Sequence, residues 1–315
     1  MNTFESVTKP LMWSTALLLS ALAAGCGDPL LGVGSGGGGV GQAGPGPAGP
    51  APVLGTAAAF GGFGGNAGMT NQGISTVITG AQGQTVSIGT TAASTLITGF
   101  HDLSVAYTGP GTGCSYTETG SNIGRVDGTI DTAAPPPTVQ CPAEGTAATA
   151  TAAGAAAGDA LIAYNDLAGR PGAIDPGANL SGLTLAPGVY KTASGAFLIQ
   201  GGADLTLDAQ GNPNAVWVFQ MASTLTVGGP GVTAPRSVIL AGGAQPKNVF
   251  WQVGSSATIN AAEGLGGIMV GTIISSAATS FSTAGQVCCT TLNGRALALN
   301  ASVTMVNTVI NVPAP

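Results

Sequence analysis

Charge is what this chain has least of. Only 6% of its 315 residues are charged, with seven basic residues and a formal net charge of −6. Nucleic-acid binding draws on Lys and Arg contacts to phosphate, and with no basic patch that partner is excluded. Histidine is rarer still. His101 stands alone, and no paired-cysteine spacing accompanies it, so no metal ligand set is expected. His101 itself is read as a loop residue. No nucleophile is placed beside a base and no carboxylates cluster; Asp208, Lys191 and Arg236 lie scattered. Neither catalysis nor a cofactor is expected from such a chain.

Aromatic side chains are also scarce, at 5%. A core with few rings must rely on small and β-branched residues, which stacked strands accommodate best. Apolar content is not lacking. At 44% hydrophobic with low net charge, the chain can bury a core, and general disorder is excluded.

The N-terminus reads as a targeting segment. Lys9 precedes an apolar run from Leu11 to Leu22, too short to span a membrane comfortably, and Ala23-Ala24-Gly25 then lead to Cys26. Small residues before a cysteine resemble a bacterial lipobox, which makes residues 1–25 a lipoprotein-type signal peptide and Cys26 the lipidation site. Export follows, with a lipid anchor at the cell envelope as the expected membrane contact, or plain secretion. Residues 26–52 are a Gly/Pro-rich tether, and a domain spans 53–315. Within it, Cys114 and Cys141 flank a loop-rich insert and are expected to pair in an oxidising compartment. The state of the adjacent Cys288 and Cys289 is left open.

Repeats carry the most information. "STVITG" begins at Ser75 and "STLITG" at Ser94, 94 − 75 = 19 residues apart, about one turn of a β-solenoid. Apolar-Thr-apolar triplets then recur at Leu183-Thr184-Leu185, Leu205-Thr206-Leu207, Leu225-Thr226-Val227, Ala257-Thr258-Ile259 and Val303-Thr304-Met305, slipping by one residue near Thr279. The first intervals, 205 − 183 = 22, 225 − 205 = 20 and 257 − 225 = 32, describe an irregular solenoid. A second column reads Val216 to Phe219, Val249 to Trp251, Ile268 to Val270 and Ala296 to Ala298. Strands apolar at consecutive positions are buried on both sides, so something must cover them. The alanine-rich stretch 146–168, with Ala156, Ala160, Ala163 and Leu167 at helical spacing and Gly169 and Pro171 beyond, predicts that cover as one long helix.

Strand alternation turns Leu225 and Val227 inward and Thr224 and Thr226 outward, with Ser256 and Thr258, and Ser302 and Thr304, in the same phase. Stacked, they form a flat grid of methyl and hydroxyl groups, with Asp204 as its one charge. A flat, rigid, weakly polar surface without a pocket suits a flat, ordered partner, and ice is such a partner. A threonine ladder can also be purely structural, since Thr favours strands. An adhesin, or a polysaccharide-binding or -cleaving β-helix, are further alternatives, though the latter lacks the acidic or basic cluster it needs.

Longer motifs narrow the choice. "LGTAAAF" from Leu54, "STVITG" from Ser75, "AYNDLAGRP" from Ala163, "LTLAPGVYKTASG" from Leu183, "LTLDAQGNPNAVWVFQ" from Leu205, "NVFWQVGSSATI" from Asn248 and "LNGRALALNASVTM" from Leu292 resemble the bacterial and fungal ice-binding proteins once grouped under a domain of unknown function. The resemblance runs from about residue 53 to 312. It implies a mainly β fold, a right-handed discontinuous β-helix of triangular section with one α-helix alongside, and adsorption to ice through one flat face. The stretch 101–145 resembles the capping insert of part of that family, and its Arg125, Asp127 and Asp131 are read as solvated loop charges. Some members carry Thr-Ala/Gly-X-Thr/Asn on the ice face. The matches here, such as Ser223 to Thr226 and Ser255 to Thr258, are incomplete, which implies moderate activity. The candidate contact residues are Thr76, Thr79, Thr95, Thr98, Thr184, Thr206, Thr224, Thr226, Ser256, Thr258, Ser276, Ser302 and Thr304. A monomer is expected.

Overall fold

The computed structural model describes residues 47–229, 234–262, 265–281 and 289–314. The targeting segment, Cys26, most of the tether and Cys288 lie outside these.

Short parallel strands wind into a β-helix with three faces. Seven strands stack on the first, in the order Phe197–Ile199, Leu225–Val227, Ala257–Ile259, Thr279–Phe281, Val303–Met305, Met69–Asn71 and Ile97–Thr98. The second runs through Gly188–Lys191, Trp217–Met221, Val249–Val253, the latter half of Ile268–Ser275, the latter half of Thr291–Ala298, then Phe60–Gly64, Ser87–Ala93 and Ile130–Ala133. The third begins with Thr184–Leu185, Leu205–Asp208 and Val238–Ala241. It continues through the first halves of the two long strands to Val309–Val312, Thr76–Gly80 and Gly124–Val126. The long strands turn the corner between faces at Gly271 and Gly294, which lie side by side. Gly271 has φ +99°, and a Cβ there would meet the Val249 carbonyl oxygen at 2.4 Å, so glycine is required.

Stacking order departs from chain order. The C-terminal strand Val303–Met305 pairs with Met69–Asn71, and Gly62 pairs with Ala296, so the N-terminal turns lie beyond the C-terminal ones. The β-helix is therefore discontinuous.

Inward residues of all three faces fill one core, Leu225, Val227, Leu205, Leu207, Ile273 and Ile310 among them. The few aromatics are concentrated there rather than dispersed. Tyr190, Phe219 and Trp251 occupy neighbouring rungs, with ring centroids 5.4 and 4.1 Å apart. Buried Trp251 donates its indole N–H to the Val270 carbonyl at 2.8 Å. The core is thus not built from small and β-branched side chains alone.

The predicted helix is present as Ala147–Ala168, with Thr146 and Thr149 forming a reciprocal capping box. Its buried stripe is Ala153, Ala156, Ala160, Ala163 and Leu167, and this packs on Val189, Val218, Phe250, Ile274 and Leu297 of the second face. Small alanines let the helix approach the sheet closely. At its C-terminus the buried Gln220 amide donates to the Leu167 and Arg170 carbonyls, both at 2.8 Å, satisfying backbone groups a helix end leaves open. The covered column differs from expectation in one member. Phe250 lies beside Thr272, not beside Ile268 to Val270, which are on the third face; the eight-residue strand crosses a corner at Gly271.

The insert is more than a loop. Cys114 and Cys141 form the expected disulfide. Gly124–Val126 and Ile130–Ala133 add a rung to the third and second faces, while Tyr116 joins the core from this end. His101 is not in a loop. It lies on the strand Phe100–Asp102, 5% exposed, with Nδ1 2.7 Å from Glu118 Oε1 and its ring stacked on Tyr107. Asp131 is likewise buried on a strand, and burial pushes its carboxyl up to about 6. Arg125 and Asp127 do pair at the surface, 3.0 Å apart.

Candidate functional site

The helix covers the second face, and among the described residues nothing covers the first. Its seven strands are in register without a bulge, so the middle residue of each points outward at the same level. Read across the sheet, that column is Leu198, Thr226, Thr258, Ser280, Thr304, Thr70 and Thr98. All seven are half-buried, while the residues before and after them in each strand are buried. Two residues upstream a second outward row begins with Thr224, Ser256, Ala278 and Ser302, tied in sequence by hydrogen bonds from Leu225 N to Ser256 O, Ala257 N to Ala278 O and Thr279 N to Ser302 O. Strand spacing of about 4.8 Å makes the grid roughly 29 Å long.

Two properties set this face apart. Among the described residues it carries no charged side chain. Its hydroxyls also have no hydrogen-bond partner among the described residues, in contrast to Thr90, Thr138 and Thr149, whose hydroxyls bond backbone carbonyls. These groups are held by the backbone ladder and face outward unengaged. Hydroxyls at fixed repeats can each anchor a water, and the intervening methyls leave no competing polar site.

Thr98, Thr224, Thr226, Ser256, Thr258, Ser302 and Thr304 come together here as expected, and exposed Thr95 lies in the turn just before Ile97–Thr98. Other candidates do not. Thr184 and Thr206 pair with each other on the third face, where the next rung offers Ile239. The interval from Leu205 to Leu225 is a step from one face to another, not one turn. Thr79 is on the third face too, beside Asn311. Thr76 is 1% exposed, its hydroxyl donating to Asn71 Oδ1 at 2.7 Å. Ser276 sits in the turn after Ser275, its carbonyl accepting from Asn300. Asp204 is off the face as well, with Oδ1 accepting from Ser237 N.

Thr70, Ser280 and Leu198 were missed. At Thr279 the slip disguised the phase, since Thr279 points inward beside Ala257 and Val303, and Ser280 takes the outward place. Phe281, a large residue that must face the core, was the available signal.

Strands, covering helix and uncovered hydroxyl grid agree with a known family, described as ice-binding-like, whose profile matches residues 63–311. The chain belongs to this family. An ice-binding protein of Nostoc sp. (strain HG1) is 40% identical over 200 residues, 61% of this chain and 66% of that one. Ice-binding protein K1-A of Typhula ishikariensis is 33% identical over 224 residues, covering 68% and 77%. The chain spans two thirds or less of several curated relatives it matches, half in the case of Flavobacterium frigoris (strain PS1). Two crystal structures share the fold. An ice-binding protein from an Antarctic biological consortium is 31% identical with a TM-score of 0.58 over 83% of this chain and 91% of that one. That of the Antarctic ascomycete Antarctomyces psychrotrophicus is 29% identical with a TM-score of 0.59 over 84% and 100%.

Proposed function

We propose that this protein adsorbs to ice through the seven-stranded face, with Thr70, Thr98, Thr226, Thr258, Ser280 and Thr304 as the central row and Thr224, Ser256 and Ser302 beside it. The row of outward hydroxyls with no hydrogen-bond partner among the described residues carries this reading. Each contact with an ordered water layer is weak, but a grid fixed by a β-ladder adds many with little side-chain entropy left to lose. Bound to a growth front, the protein stops advance where it sits, so growth and recrystallisation slow. The reading needs no cofactor and assigns no catalysis.

The test is growth of a single ice crystal in a solution of the full chain. Faceting, a gap between freezing and melting temperatures, and suppressed recrystallisation are expected. Rounded crystals growing freely from a folded sample would overturn the proposal.

Export belongs to the same proposal, with Cys26 lipidated or the chain secreted as a monomer. The signal-like run from Leu11 to Leu22 and the Cys114–Cys141 disulfide, which suits an oxidising compartment, support it. Mass spectrometry of the mature N-terminus decides it: a lipid-modified Cys26 is expected, and an unprocessed Met1 would refute export.

A further inference from the structure

A cleft of about 480 Å³ opens where Pro50, Pro52 and Leu54 pass over the second face, away from the hydroxyl grid. Its walls are apolar, with Val216 and Phe250 below the two prolines and Leu54, and no acidic residue lines it. Arg295 does line it, although only 4% exposed. This guanidinium lacks what buried arginines usually have. Among the described residues no carboxylate pairs with it. Its Nε–H donates to the Ala58 carbonyl at 3.0 Å, and Nη2 reaches the Pro313 carbonyl only at 3.5 Å. A guanidinium has five N–H donors, so three have no acceptor among the described residues. Burial pulls its pKa down to about 10. Lys247 adds a second cation to the lining.

We propose that this cleft binds a small organic monocarboxylate, its charge held by Arg295 and its compact apolar body by Leu54, Val216 and Phe250. A buried cation is stable when an anion pairs with it, and the planar fork of Arg matches a carboxylate with two parallel hydrogen bonds. An inorganic oxyanion would leave the apolar walls bare. The volume falls within the usual range for small-molecule sites.

The experiment titrates the full chain with benzoate, benzyl alcohol and inorganic phosphate, followed by calorimetry and ligand-observed NMR. Benzoate is expected to bind with a Kd on the order of 1 mM, and Arg295→Met to weaken it at least tenfold while Arg295→Lys retains part of it. Because Arg295 also bridges Ala58 and Pro313, a second variant guards against misfolding. Exposed Asn214 stands at the cleft mouth, and Asn214→Trp should weaken benzoate several-fold with an unchanged melting temperature. Benzyl alcohol binding as well as benzoate, phosphate binding as well as benzoate, or no saturable benzoate signal would each overturn the proposal.

Discussion

The first and second faces share one architecture and differ in the residues they turn outward. Both are parallel ladders whose inward residues fill the same core, yet beneath the helix one turns outward Val189, Val218 and Phe250 in one row and Ile274 and Leu297 in the next, while the outward row of the other reads Leu198, Thr226, Thr258, Ser280 and Thr304. What covers a face is thus written in its outward column. Apolar residues worth roughly 1.5–3 kcal/mol each when fully buried call for cover from the chain itself, and the helix supplies it. Hydroxyls that can bond water need no such cover.

A matched pair of substitutions tests this contrast most strongly. Thr258→Tyr is expected to abolish ice shaping, because a ring standing at the middle of the grid holds the whole face off the lattice, while unfolding free energy changes by less than about 0.5 kcal/mol. Phe250→Ala is expected to do the reverse, costing about 3–5 kcal/mol and leaving ice shaping intact in whatever fraction remains folded. Denaturant titration and single-crystal growth on both variants check the pair. If Thr258→Tyr shapes ice normally, the active face is another one.

The capping insert should behave like the covered face, affecting stability alone. Replacing Cys114 and Cys141 with alanine opens a loop across a sequence separation of 27 and is expected to cost roughly 3–4 kcal/mol, with hysteresis unchanged below the new melting point.

Acidity gives a smaller effect at the same end. Burial raises the Glu144 carboxyl to about 9, with Asp102 beside it, and raises that of Asp131 to about 6. Both groups hold their protons more tightly folded than unfolded. Their protonated forms are compatible with burial below pH 4, and stability falls as pH rises through about 6 and then about 9. Glu144→Gln keeps the acceptor for the Tyr116 hydroxyl and removes the later part of that fall. A gain on the order of 1 kcal/mol at pH 9 and little change at pH 5 are expected from chemical denaturation. The finest adjustment is Ser280→Thr, which completes the methyl row; a modest rise in hysteresis with stability within about 0.5 kcal/mol would sharpen the assignment.

Much of this was legible in the residues. The helix and its stripe of Ala156, Ala160, Ala163 and Leu167 could be read because helical spacing is local. The phase of Leu225-Thr226-Val227 could be read because large apolar residues flank the Thr. Which face a triplet occupies was harder, since that depends on corners and loop lengths between strands. The near-identical words "STVITG" and "STLITG" show why. The first places Thr76–Gly80 on the third face, and the second places Ile97–Thr98 on the first, since 19 residues do not complete a turn here. His101 and Asp131 were misplaced for a related reason. Their burial comes from packing at the capped end, which no local pattern encodes.

The interrupted winding has a consequence for how the molecule is assembled. Met69–Asn71 is the sixth of seven rungs on the hydroxyl face, lodged between Val303–Met305 and Ile97–Thr98. Rungs made first by the ribosome therefore wait for those made last, and closing that gap of 303 − 69 = 234 residues brings the entropy cost and slow rate of distant contacts. An ordinary solenoid can fray rung by rung from its N-terminus. This one is locked there, because its earliest rungs are held between later ones, and the hydroxyl face is complete only when both halves of the chain have arrived.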